Sequence, residues 1–258
     1  MKEAEKKPAA EANAAAAKTG LSQWGRIYSL FFAPSKTFED IHCGNRSWWL
    51  PLILIAFFTY VFFATVAQKV GFDQVYENQM RMNSSMADMV NQMPSDARAK
   101  SQESGALNLK IGFALAPVGL IAQIALLSAL LLGTINLGFG GRARYASVFA
   151  VICYALLPSI VKYLLGSTTL FLGVAPETFN IANFAPTNIA AFLDPIETNK
   201  ALYLLAKSLD LITIWEGILL GCGVSIVAGV KRNSGYLAVF GWWILLVLCG
   251  AGIAVARG

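Results

Sequence analysis

The 258-residue chain contains a single histidine, His42, and four cysteines. Cys43, Cys153, Cys222 and Cys249 are far apart, and no CxxC pair occurs. This spacing excludes a disulfide framework and a Cys/His zinc site, and a lone histidine builds neither a metal centre nor a proton wire. Charge is also scarce. Asp, Glu, Lys and Arg make up 14% of the residues against 56% hydrophobic, whereas a soluble domain carries about a quarter charged residues. The sequence has no P-loop, no GxSxG, no HExxH and no HxE…PCxxC, so the common phosphate, nucleophile and zinc signatures are missing. No paired titratable groups suggest acid–base chemistry. The chain therefore reads as non-enzymatic, with no catalytic, cofactor-binding or metal-ligating residue. The net charge of +5 is not a nucleic-acid footprint, because the basic residues flank apolar blocks instead of forming a stripe.

What is abundant is apolar sequence in blocks of about 20 residues, the length that crosses a bilayer as a helix. The fold class is all-α: a polytopic membrane bundle with five spans, expected at residues 48–67, 111–135, 145–172, 209–230 and 236–256. Pro158 should kink the long third span. Residues 1–20 are Ala, Lys and Glu with no apolar core, which reads as a disordered cytoplasmic tail and not as a signal peptide. In residues 21–47, Trp24, Ile27, Tyr28, Phe31 and Phe32 recur on one helical face before Pro34. Such a helix either lies in the membrane interface or packs under the bundle. Trp24, Phe31, Trp48, Trp49, Trp242 and Trp243 are expected as interfacial anchors.

Lys and Arg indicate orientation. Lys2, Lys6, Lys7, Lys18, Arg26, Lys36 and Arg46 precede the first span, Arg142 and Arg144 follow the second, and Lys231 and Arg232 follow the fourth. With five spans these segments share one side, which the positive-inside rule makes cytoplasmic. The N-terminus is then inside and the C-terminus outside. Loop one, residues 68–110, and loop three, residues 173–208, face out, loop three as a Pro- and Asn-rich folded cap.

Two charges fall within spans. Glu216 in the fourth span must face the bundle interior and find a partner, and Lys162 in the third lies at a comparable depth. An interhelical Lys162–Glu216 pair is one reading. The others are a protonated Glu216 bonded to a neighbouring oxygen and a Lys162 that snorkels outward. Asp210 stands at the membrane edge. Thr213, Gly217, Gly221, Ser225 and Gly229 recur every four residues, a small-residue stripe that lets another helix approach closely. In loop one, Val75, Met82, Met86, Met89 and Met93 follow helical spacing while Met80 lies off it. Thioethers can bind Cu(I), but without Cys or His beside them the apolar face of one amphipathic helix is the better reading.

With the spans placed, "WGRIYSLFFAPSKTFEDI", "ASVFAVICYALLPSIVKYLLG", "FNIANFAPTNIAAFLD", "SLDLITIWEGILLGCGVSIVAG" and "FGWWILLVL" together resemble the bacterial branch of the Yip1 domain family over residues 21–256. The resemblance implies a five-span fold with an inside N-terminus, in agreement with the basic-loop count. Eukaryotic members of that family are trafficking adaptors that bind Rab-type GTPases. The N-terminal segment here is short and lacks a folded recognition element, so small-GTPase binding is not carried over, and the family supplies no catalytic residue to transfer. The expected role is a scaffold or adaptor in the bacterial inner membrane. Its partners would be the lipid bilayer and other membrane proteins or a second copy of itself, with no nucleic acid. The alternative is a transporter or channel-like subunit with a polar site around Glu216 and Lys162.

Overall fold

The computed structural model describes residues 20–256, so the tail expected over residues 1–20 lies outside the described residues but for Gly20. The described chain is helical, with one isolated bridge between Asn188 and Asp210. Two short helices, α1 (Gln23–Phe32) and α2 (Pro34–His42), precede the first span, α3 (Trp49–Lys69). Loop one is built from α4 (Phe72–Met82), α5 (Ser84–Asn91) and α6 (Ser95–Ala114). Span two is α7 (Ala116–Gly133), which continues as a π-helical turn, Thr134–Gly138. Span three is α8 (Tyr145–Ala155) followed by α9 (Ser159–Phe171). After the loop-three cap and α10 (Lys200–Ser208) come span four, α11 (Leu211–Ala228), and span five, α12 (Arg232–Ala256). All five spans are long and apolar enough to cross a membrane.

Prolines set the helix boundaries. Span two starts at Ala116, later than the expected residue 111, and Leu115 forms the break. Pro117 has no N–H for the Phe113 carbonyl and its ring would clash there, so residues 111–114 belong to α6. Pro158 closes a turn over residues 156–158 that interrupts the α-helical ladder of span three between Ala155 and Ser159. Bonds of i→i+3 type, such as Leu157 N–H to the Tyr154 carbonyl and Ser159 N–H to the Leu156 carbonyl, carry the chain through as one span. Loop one is also more divided than its methionine spacing predicts. The chain turns at Asn83, so Met82 ends one helix and Met89 lies on the next. Val75 is buried and Met89 is exposed, so no single apolar methionine face forms.

The core is centred on α11. Its most extensive neighbour is α12, and α2 and α8 flank it. Phe38 of α2 is fully buried and fits between Val151 and Gly223, where an added Cβ on the glycine would come within 2.5 Å of Val151 and 2.9 Å of Phe38. The two helices of residues 21–47 differ in burial. α2 is packed into the bundle, while α1 turns Trp24, Tyr28 and Phe32 outward.

Candidate functional site

The polar groups of the third and fourth spans meet where the loop-three cap joins α11. Asp210 is the N-cap of α11, and its Oδ1 accepts the Thr213 N–H at 2.8 Å. An aspartate directly before an apolar run is a helix-start signal, because it satisfies a backbone donor left free in the first turn. Lys162 Nζ lies 2.8 Å from Asp210 Oδ1 and donates to Thr213 Oγ1 at 2.8 Å. Asp210 Oδ2 accepts from the Thr187 hydroxyl at 2.5 Å and from the Asn188 amide at 3.5 Å. The Leu211 N–H closes the joint by donating to the Thr187 carbonyl at 2.9 Å. Burial alone would raise the Asp210 carboxyl. The hydrogen bonds from Lys162, Thr187 and Thr213, with the Lys162 charge, outweigh it and hold the group below its ordinary value.

The expected Lys162–Glu216 pair is not the one formed. Only Arg26–Asp40 and Lys162–Asp210 are ion pairs among the described residues. The reason is depth: Glu216 lies about 9 Å further along α11 than Asp210, at 1.5 Å per residue. The long lysine stem carries its ammonium toward the membrane edge, where a charge loses less hydration. Glu216 instead lies beside the break in span three. Its Oε1 is buried without a hydrogen-bond partner.

The small residues of α11 meet span five. A Cβ on Gly217 would touch Phe240 at 3.0 Å, and one on Gly221 would meet Tyr236 at 2.4 Å. Ser225 faces Gly235, whose own Cβ would lie 2.2 Å from the Gly221 carbonyl oxygen. Thr213 is taken up by Lys162, and Gly229 caps the helix at φ 68°, a left-handed conformation that favours glycine.

A second buried cluster had no signal in the sequence. Arg26 is 2% exposed. It pairs with Asp40 at 3.4 Å, donates to the carbonyls of Asn45 and Ser47 at 2.7 and 3.2 Å, and stacks 5.4 Å from the Tyr154 ring. In the sequence Arg26 stands only as one of the basic residues before the first span, off the aromatic face of α1. In the structure Arg26 and Leu30 form the inward face of α1. Among the expected anchors, Trp24 and Trp49 are well exposed and Trp48 packs 5.3 Å from Phe149. Phe31 packs against Trp215, and Trp243 against Phe240. Trp242 donates to Thr134 Oγ1 at 2.9 Å, tying span five to the end of span two. No His/Cys/Asp/Glu group able to hold a metal occurs among the described residues.

The five spans, the broken third helix and the close α11–α12 contact define a polytopic helical membrane protein. The Yip1 domain model matches residues 28–254, and the chain belongs to the Yip1 domain family. Comparison with curated proteins and with solved structures gives no significant match.

Proposed function

We propose that the chain is a non-enzymatic scaffold or adaptor of the bacterial cytoplasmic membrane that docks other membrane proteins, or a second copy of itself, through span five. The observation that carries this reading is the exposure of α12, whose most apolar window is only 11% buried. Its open side carries Gly241, Leu245, Leu248 and Gly252, and a Cβ on either glycine would meet nothing within 4 Å. Those four residues share one helical face, and small residues on such a face let a further helix come close. An inside N-terminus is supported by the basic end of the bundle. There Arg46 donates to Ser147, Arg232 to Ser35, and the Arg142 N–H to the Ala228 carbonyl.

The test is capture in native lipid particles of wild type beside Gly241→Leu, which fills the notch without touching the bundle. A membrane protein or second copy enriched with wild type and lost with the variant supports docking. Identical retention by both, or substrate turnover by the purified chain alone, refutes it. The transporter reading keeps one observation in its favour, the unpartnered Glu216 Oε1 beside the broken helix. If that carboxyl faces water, Glu216→Cys will react with a membrane-impermeant thiol reagent.

A further inference from the structure

A cavity of about 140 Å³ opens beside the Asp210 joint, lined by Lys162, Asn183, Thr187, Asn188, Lys207 and Asp210 among others. A water needs about 10–15 Å³ on this measure, so there is room for a small polyatomic ion. Its acceptors are already engaged. Each Asp210 oxygen receives two donors, and the Asn183 and Asn188 amides bond each other reciprocally at 3.3 and 2.7 Å. Its donors are not. Lys162 has three N–H groups and spends two on Asp210 and Thr213. Lys207 has no hydrogen bond or ion pair among the described residues. Two lysines thus line one half-enclosed space, and of the two only Lys162 is ion-paired there, to Asp210. Burial, and then the Lys162 charge, push the Lys207 ammonium below its ordinary value, a strain that a bound anion would relieve.

We infer that this cavity is a binding site for one oxyanion of the phosphate class, held by Lys207 and the free N–H of Lys162. The cavity lies at the start of span four, the end of an apolar helix of bilayer length, and the neighbouring Leu205, Leu209 and Leu211 are exposed. The oxyanion is therefore either the phosphate of an acidic lipid or a free anion that enters from water. The site does not depend on the scaffold reading: a chain that docks no protein can still hold the anion, and the assay reads only the anion.

The test uses the full chain purified in detergent, read by native mass spectrometry and by melting temperature. It is given phosphatidylglycerol, net-neutral phosphatidylcholine, or inorganic phosphate, with chloride at matched ionic strength. Wild type should retain and be stabilised by phosphatidylglycerol over phosphatidylcholine. Lys207→Gln should weaken this at least about tenfold, the scale of a charge-assisted contact. Lys200→Gln removes the same charge from an exposed position on α10 and should leave binding intact. Lys207→Met keeps the apolar stem and serves as a second variant if the glutamine form is unstable. Stabilisation by phosphatidylglycerol alone assigns the site to a lipid headgroup, and equal stabilisation by free phosphate assigns it to a soluble anion. Equal loss in Lys200→Gln and Lys207→Gln would mean bulk surface charge and overturn the site. So would a wild type that responds to neither anion.

Discussion

Replacing Asp210 tests the joint between the loop-three cap and span four. Asp210→Ala removes an N-cap worth about 1 kcal/mol. It also strands the Lys162 ammonium, in a pair whose side chains are 22% and 8% exposed. Exposed pairs contribute about 0–1 kcal/mol and breaking a buried one costs about 3–5, so this pair should cost about 2–3. The total expected for Asp210→Ala is about 3–4 kcal/mol. Asp210→Asn keeps a good cap and should lose only the pair's share. A double-mutant cycle with Lys162→Met should return a coupling of about 1 kcal/mol or more. Chemical denaturation in detergent micelles, followed by tryptophan fluorescence, measures all four forms. The pH dependence has a definite sign. The folded Asp210 carboxyl titrates below its ordinary value, so its contribution is complete above about pH 4 and is lost as pH falls through the folded value. Asp210→Asn should flatten that acid limb. A coupling near zero, or an Asp210→Ala variant as stable as wild type, would refute the joint.

Gly235→Ala should destabilise the chain by about 1–3 kcal/mol through overpacking, because its Cβ would meet the Gly221 carbonyl oxygen at 2.2 Å. Gly241→Ala, in open space mid-helix, should leave the melting temperature unchanged or raise it slightly through helix propensity, and a comparison of the two melting curves checks both. Arg26→Met removes the cation paired with Asp40 and the donor to the Asn45 and Ser47 carbonyls, and should loosen α1 and α2 at a cost of about 3 kcal/mol, read as faster hydrogen exchange over residues 22–42 than in spans three and four. Cys43 is exposed, so in a Cys249→Ser background an impermeant maleimide should label it in inverted membrane vesicles and not in intact spheroplasts. Labelling in spheroplasts would reverse the proposed orientation.

The sequence by itself determined the class of this protein. Apolar blocks of bilayer length admit little besides a helical membrane bundle, because backbone groups in lipid must be paired within the span. Local chemistry also marked the break at Pro158 and the small-residue face of α11, since proline and glycine act through their own backbone and volume. Asp210 could be placed at the membrane edge from the sequence, but not as the partner of Lys162. That choice depends on how deeply two helices lie beside each other and on where a flexible lysine stem ends, neither of which spacing encodes. Arg26 is the sharper case: periodicity tells which residues share a face of α1, but not which face the bundle covers. The tertiary structure alone decided that the charged face turns inward onto Asp40 and Tyr154, that α2 wedges Phe38 against Gly223, and that the loop-three cap folds over α11 beside Lys162 and Lys207. Each is a contact between segments remote in sequence, fixed by the packing of the whole bundle.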